Sequence, residues 1–514
     1  MHVPPYKKDW LQSGKDLFIH ELFERQSELT PDRVAVYFNG KELSYSELNR
    51  KADLLSDHII KNDSGSSIAG ISVTRNIEMI VGLLAILKAG KAYLPLDPNY
   101  PRERLSRMIK DAGVRTCICA SAEFTFFNSL NTGVHLLATD TRHGDLEGIE
   151  RPDRSRLAYV LHTSGSSGKP KAVSMGNAAL VNLLQWQQKH SIAGLGTKTL
   201  QFAPLGFDVS FQEIFSTLTT GGTLVLVEDD LRLDPLRLLR FIETQSIQRM
   251  FLPFVALQFI AEAADANQIF PSSLQEVITA GEQLKITARV LSFFSNLPSC
   301  TLYNQYGPTE THVITALKLE GDPASWPALP GIGKPIDNTE IFIIGEKGEL
   351  MRDAESGEIC VAGISLAEGY LNDPDLTAEK FIVWHHPDAG EMRIYKTGDL
   401  GRWMPDGNIE FLGRLDEQVK IRGYRVEPGE IEVILNLQPG LKQAVVIARE
   451  DEPGDKKMVA YLVSSGRSKD LQALRHSIEK QLPDYMMPSA FVWLDELPKT
   501  SSGKIDKKRL PKPE

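Results

Sequence analysis

Cysteine is scarce, with four in 514 residues: Cys117, Cys119, Cys300 and Cys360. So few make no disulfide framework and match no zinc-ligand spacing, which points to a reducing compartment and a cytoplasmic location. Cys117 and Cys119 flank one isoleucine in an apolar stretch and read as two core strand residues rather than a redox pair. Long hydrophobic runs are missing too. The longest wholly apolar run is residues 79–87, between Glu78 and Lys88. A bilayer span needs about 20 such residues, so no membrane partner is expected and the run reads as a buried helix. The opening Met-His-Val-Pro-Pro-Tyr-Lys-Lys-Asp lacks the charged-then-apolar plan of a signal peptide. Positive charge is not in excess: 57 Lys+Arg against 67 Asp+Glu leave −10, which argues against nucleic acid as a partner.

What is present is the texture of an α/β chain. Apolar or β-branched runs at 71–74, 199–202 and 276–280 precede helical patterns over 77–89, 211–218 and 284–294. Past Gly398 the texture shifts to short strands at 408–412, 418–421, 444–447 and 458–463. A helix follows them: Ser468 can cap it, and Leu471, Leu474, Ile478 and Leu482 share one helical face. The expected architecture is a large N-terminal domain of layered α/β sheets, residues 1–414, and a small α+β C-terminal domain, residues 415–514.

Residues 157–161 read as a strand that runs into His162-Thr-Ser-Gly-Ser-Ser-Gly-Lys-Pro-Lys171. Gly165 and Gly168 let the backbone turn its N–H groups toward an anion. Thr163, Ser164, Ser166 and Ser167 add hydroxyl donors, while Lys169 and Lys171 add positive charge. This is not a Walker A loop, which places four residues between its glycines. A flexible Ser/Gly surface loop is the competing reading; the strand before and the lysines after favour phosphate binding.

Further motifs stand in a fixed order: Leu43-Ser-Tyr-Ser-Glu-Leu48, Leu87-Lys-Ala-Gly-Lys-Ala-Tyr-Leu-Pro-Leu-Asp97, the loop at 163–171, and Phe207-Asp-Val-Ser210. Asn304-Gln-Tyr-Gly-Pro-Thr-Glu310, Tyr395-Lys-Thr-Gly-Asp-Leu400 and Gly413-Arg-Leu-Asp-Glu-Gln-Val-Lys-Ile-Arg-Gly423 come next. Leu482-Pro-Asp-Tyr485 and Pro498-Lys-Thr-Ser-Ser-Gly-Lys504 complete the set. With these motifs the chain resembles, over nearly its whole length, the adenylation domains of nonribosomal peptide synthetases in the adenylate-forming superfamily. It departs from the family pattern at His162 (commonly Tyr), Ala172 (usually Gly) and Asn177 (often His).

The resemblance implies attack of a carboxylate on the α-phosphorus of ATP, giving an acyl-adenylate and pyrophosphate. It implies catalytic roles for Lys504, Thr309 and Glu310, with Glu310 holding Mg2+ and Thr309 placing the α-phosphate. ATP would meet Thr163, Ser164, Gly165, Ser166, Ser167, Gly168 and Lys169. Tyr306 and Gly307 would lie against adenine, and Asp399, backed by Arg414, would accept the ribose hydroxyls. Asp416 would be the hinge on which the small domain turns between two poses. In the second pose residues 420–423 would face the active site, where the phosphopantetheine thiol of a carrier protein enters.

By the same resemblance Asp208 pairs with a substrate ammonium; a helix N-cap is the competing reading. The remaining amino-acid pocket would be Val209, Gln212, Val255, Ile278, Ala280, Gln305, Val313 and Ile314. Such a pocket, with no charge beyond Asp208 and Lys504, disfavours charged side chains, which would be buried unpaired. Its residues look most like proline-type codes, with Gln305 where His is expected. Proline, a close analogue and another apolar amino acid all stay open. An acyl- or aryl-CoA ligase is the alternative within the superfamily, and Asp208 argues against it. A catalytically idle nucleotide-binding subunit is the alternative outside it, and Lys504, Asp399 and Glu310 argue against that. Met1 and an end ten residues past Lys504 favour a free-standing enzyme that loads a separate carrier protein.

Overall fold

The computed structural model describes residues 17–62, 65–72, 74–140, 144, 155–165, 170–416, 418–421, 423–451, 456–466, 470–498 and 505–513. Ser166, Ser167, Gly168, Lys169 and Lys504 lie outside the described residues, as does Ser468.

The apolar run at 79–87 falls within the helix Ile77–Lys88, where every residue but Glu78 is buried. A helix apolar all round must be covered all round. This one shares a core with Val36 and Leu224 of one sheet and with Ala69, Ile71 and Tyr159 of another, so two sheets sandwich it. The first sheet has nine strands. At its centre Glu276–Thr279 runs parallel to both Arg249–Leu252 and Thr301–Tyr306. The second has seven and includes the fully buried Thr116–Cys119, which makes Cys117 and Cys119 core strand residues. Its strands Leu157–Thr163 and Lys171–Gly176 pair antiparallel, and the Ser/Gly-rich segment joins them. A third, five-stranded sheet carries the long strand Gly390–Trp403 beside Ile409–Arg414.

Beyond these layers the chain forms a smaller unit. The hairpin Val419–Ile421 and Tyr424–Val426 leads into the helix Pro428–Asn436. Three strands follow, Leu441–Glu450, Lys456–Ser464 and Ala490–Leu494, with the helix Leu471–Glu479. Ile431, Val446, Ala460 and Ile478 share its core. The expected plan, layered α/β sheets followed by a small C-terminal domain, is the one observed. Among the described residues no helix is long and apolar enough to cross a membrane.

Four local expectations need correction. The helix expected from 211 begins at Asp208, and the one expected from 284 begins at Ala288, where the Thr287 hydroxyl accepts from Val290 N. The cap expected at Ser468 is made by Asp470, whose carboxylate accepts from Ala473 N at 3.0 Å. That helix stops at Glu479, so Leu482 is buried just beyond it.

Candidate active site

Two antiparallel strands place Asp399 directly opposite Arg414, and their side chains form an ion pair. The other Asp399 oxygen accepts from the Tyr306 hydroxyl at 2.5 Å. Burial, and then the Asp399 charge, push the Tyr306 phenol well above its usual pKa, so it is a fixed donor. Arg414 also forks onto Asp416, Nε to Oδ1 at 2.6 Å and Nη2 to Oδ2 at 2.7 Å. One guanidinium therefore joins the carboxylate expected at the ribose to the residue expected at the hinge.

Glu310 is fully buried, yet its carboxyl is held at about 2. Burial alone would raise it. The Arg425 guanidinium at 2.8 Å on Oε2, Lys171, and the Tyr370 hydroxyl at 2.8 Å on Oε1 overcome that penalty. Thr309 lies half-buried beside it. The turn that carries both closes tightly: a Cβ on Gly307 would sit 1.6 Å from the His312 carbonyl oxygen, so only glycine fits. His312 then ties this turn to the next motif, its Nε2 donating to the Asp208 carbonyl at 3.0 Å and its Nδ1 accepting from Val313 N at 2.8 Å. Burial lowers the His312 pKa and keeps the ring neutral.

Asp208 is the first residue of its helix, and Phe207 occupies the N-cap position. The Asp208 carboxylate accepts only from the adjacent Val209 N, at 2.8 Å, among the hydrogen bonds of the described residues. The N-cap reading of Asp208 is therefore set aside. One turn on, the buried Gln212 donates to the buried Gln305 at 2.9 Å, and Gln212 Oε1 is left without a partner. Val209 packs with Phe251, Ile278 and Tyr303. Ile278 and Gln305 also line a cavity of about 10 Å³ with Trp186, Gln187, His190, Ser191, Glu276 and Tyr303. The structure thus brings Val209, Gln212, Ile278 and Gln305 together. Val313 sits in a separate cluster with Leu183 and Trp186, and Ile314 in another with Ile332 and Ile341. Ala280 follows the strand Glu276–Thr279 and is partly exposed. Val255 lies at a helix start, its N–H given to Glu282 Oε2 at 3.0 Å.

Of the phosphate loop, Thr163, Ser164 and Gly165 are described. Thr163 Oγ1 is buried without a partner. The Ser164 hydroxyl donates to the Arg425 carbonyl at 2.8 Å, and Gly165 N donates to Glu430 Oε2 at 3.2 Å. Arg104 donates to the other Glu430 oxygen at 3.0 Å. Gly423 N donates to Glu282 Oε1 at 2.7 Å, and the Tyr424 ring stacks on Tyr485 with centroids 4.1 Å apart. Lys420 lies in the fields of both Asp399 and Asp208, which oppose the lowering of its pKa by burial. The hairpin of the small unit therefore lies over the cleft that holds Asp208, Glu282 and Asp399. Ile505, next to Lys504, packs into the small unit's own second core with Val445 and Leu497.

Sequence reasoning missed Arg104, Glu282, His312, Tyr370, Arg425 and Glu430. Only Arg425 carried a usable signal, standing two residues past the motif that ends at Gly423.

Comparison with known proteins fits this geometry. Residues 23–371 match the AMP-binding enzyme family, and residues 430–504 match the AMP-binding enzyme C-terminal domain. The chain is 40% identical over 501 residues to tyrocidine synthase 2 of Brevibacillus parabrevis, covering 96% of itself and 14% of that protein. It is 41% identical over 505 residues to gramicidin S synthase 2 of Brevibacillus brevis, covering 98% of itself and 11% of that protein. The chain thus spans under a sixth of the length of these relatives. Among solved structures, holo-PA1221, an NRPS protein containing adenylation and PCP domains, superposes with a TM-score of 0.85 at 27% identity. That match covers 96% of this chain and 83% of the other. The amide bond synthetase McbA from Marinactinospora thermotolerans shares the fold, with a TM-score of 0.84 at 24% identity over 96% of this chain and 99% of its own. With the matched regions spanning most of its length, the chain belongs to the AMP-binding enzyme family, in the adenylate-forming fold.

Proposed function

We propose that this protein activates a neutral amino acid with ATP, forming an aminoacyl-AMP and pyrophosphate, and then passes the aminoacyl group to the phosphopantetheine thiol of a carrier protein. L-proline or a close analogue is the proposed substrate. The observation that carries this reading is the buried Gln212–Gln305 pair, walled by Val209 and Ile278 and lying one helical turn from Asp208. Asp208 one turn away and the uncharged amides of Gln212 and Gln305 suit an α-ammonium with a neutral side chain; Glu276, which lines the same cavity as Gln305, is already paired with Arg249 at 2.7 Å. A charged side chain there would be desolvated without a partner, at a cost of several kcal/mol.

The roles proposed for the nucleotide residues follow from what each can offer. Thr163, Ser164 and Gly165 supply hydroxyl and N–H donors at the start of the phosphate loop, continued by Ser166, Ser167, Gly168 and Lys169. Asp399 keeps lone pairs for ribose hydroxyls beyond the bonds from Tyr306 and Arg414, and Gly307 lets the turn beside Tyr306 approach. Thr309 orients the α-phosphate. Asp416 marks the pivot of the C-terminal domain, proposed as residues 415–514 against a large domain of residues 1–414. Lys504 contributes positive charge toward the attacking carboxylate and the phosphate as charge develops.

Magnesium fits the donor set. Among the described residues no cluster of three or more His, Cys, Asp or Glu could form a metal cage. Glu310 is instead a single carboxylate held ionised in a buried site, and Mg2+ is commonly bound by one or two carboxylates plus substrate phosphates. When bound, the ion would neutralise phosphate charge. The four cysteines, all unpaired and buried, suit the proposed cytoplasmic setting.

The test is amino-acid-dependent ATP–pyrophosphate exchange across the proteinogenic set plus pipecolate, with salicylate and a fatty acid as controls. A peak on proline or pipecolate supports the full reading. A peak on another neutral amino acid keeps the reaction and discards the substrate; exchange with the controls alone refutes the amino-acid reading.

A further inference from the structure

His312 stands between the turn that carries Tyr306 and Glu310 and the helix that opens on Asp208. Its backbone belongs to the turn. The His312 carbonyl oxygen would lie 1.6 Å from a Cβ on Gly307, and it accepts from the Thr311 hydroxyl at 3.1 Å. Two residues on, Ile314 N donates to the Tyr306 carbonyl at 2.9 Å and closes the turn. Its ring belongs to the helix. Nε2 donates to the Asp208 carbonyl at 3.0 Å, and the ring meets Phe211 edge-on, with centroids 6.1 Å apart. Nδ1 accepts from Val313 N at 2.8 Å, which sets the tautomer and leaves the Nε2 hydrogen for the helix. His312 is 3% exposed and holds φ at +57°, the left-handed region that His, like Asn and Asp, enters more readily than most residues.

The backbone so held decides where the Asp208 carboxylate points. That carboxylate accepts from Val209 N at 2.8 Å and, among the hydrogen bonds of the described residues, from no side chain. Its direction therefore follows the start of the helix. We propose that His312 is a positioning residue that couples the two sites: with the turn and Asp208 joined through its ring, filling either the nucleotide site or the amino-acid site tightens the other. The inference rests on the reaction proposed above, which gives the turn to the nucleotide and Asp208 to the substrate ammonium. Ordering is the physical cause. A nucleotide that orders the turn fixes the His312 carbonyl, hence the ring, hence the helix start. Less freedom is then left to lose when the amino acid binds. Linkage is reciprocal, so the factor is the same in both directions. A reaction between two bound substrates gains from this, because the carboxylate and the phosphorus must be held in place together.

Calorimetry on the full chain tests this. One probe is α,β-methylene-ATP with Mg2+; the other is L-proline, or the amino acid at which exchange peaks. Each should bind the wild type about tenfold more tightly when the other is saturating, a typical size for coupling between sites. His312→Asn and His312→Gln divide the two jobs of the ring. Asn tolerates the left-handed backbone, and its Oδ1 stands where Nδ1 accepts from Val313 N, but it is too short to reach Asp208. Gln reaches Asp208 with its Nε2 and gives up the acceptor. His312→Asn should therefore bring the coupling factor down to about one. It should also raise the amino-acid KM about tenfold, with kcat and the affinity for the nucleotide alone within about twofold of wild type. His312→Gln should keep the coupling, and a circular-dichroism melt confirms that each variant is folded. A role confined to shaping the turn would reverse the order, harming His312→Gln more than His312→Asn, and overturns the proposal. So does coupling that survives in His312→Asn. Exchange activity in a wild type that shows no coupling refutes this inference alone. Absence of amino-acid-dependent exchange refutes the reaction and the inference with it.

Discussion

Glu213 offers a test of the energetics behind the substrate pocket, because it sits beside Gln212 on the helix Asp208–Leu218 and is completely buried. Two effects compete there. Burial raises its pKa. Against that stand the N–H groups of Ala203 and Phe202 at 3.0 and 3.1 Å, the charge of Arg75, and the amide of Gln201 at 3.0 Å. Burial prevails, and the carboxyl is pushed from 4.5 up to about 7. Because the folded value exceeds the unfolded one, the protonated group favours the fold. That stability is fully present below about pH 4.5 and is lost as pH rises through about 7. At about 1.4 kcal/mol per pH unit of separation, the loss comes to about 3 kcal/mol. Glu213→Gln removes the ionisation and keeps the shape. Its melting temperature, compared with wild type across this range, should gain steadily with pH and end about 4 °C ahead for a unit of roughly 400 residues. A gap that stays flat, or a variant that loses ground as pH rises, would show that the four polar partners outweigh burial and that the reasoning is wrong.

Asp208→Ala should raise the amino-acid KM far more than the ATP KM in the exchange assay; equal rises would reject the ammonium pairing. Lys504→Ala should abolish adenylate formation while the circular-dichroism melt stays that of wild type, and retained exchange would remove Lys504 from the chemistry. Gly307→Ala must displace the His312 carbonyl, which lies 1.6 Å from the added carbon. A loss of about 3 kcal/mol in urea unfolding is expected, together with loss of exchange, since the same turn carries Tyr306 and Glu310.

How much of this was readable beforehand depended on whether the physics was local. The helix Ile77–Lys88 was plain because only burial on all sides explains nine apolar residues in a row. Helix starts were less so. Reading began at the bulky Phe211, yet an acid in the first turn is favoured by the helix dipole, and the helix starts at Asp208. Ser468 and Asp470 are both good caps by type, and the structure uses the one adjacent to Leu471. In the site, Glu310, Asp399 and the phosphate loop lie inside contiguous motifs and can be singled out from sequence alone. Arg104 was not. Its helix neighbours Arg102, Glu103, Arg107 and Lys110 are all exposed charges, and nothing nearby marks Arg104 as buried. Its partner Glu430 stands 326 residues away. A role fixed by a partner so distant is invisible until the chain is folded.

The small unit is seated on the large one largely by charge. Its contacts on the large domain are mostly polar: Arg425 on Glu310, Glu430 on Arg104 and Gly165, and Gly423 on Glu282. Rings meet across it as well, with Tyr424 against Phe207 at 4.8 Å and Tyr485 against Tyr100 at 6.3 Å. A buried ion pair gives back in attraction about what it costs in desolvation, so its net contribution is small, whereas an apolar face of equal area would hold firmly. Removing one partner is another matter, because the charge left behind is buried alone, at about 3–5 kcal/mol. Complementary charge therefore fixes where the small unit sits without fixing it there permanently.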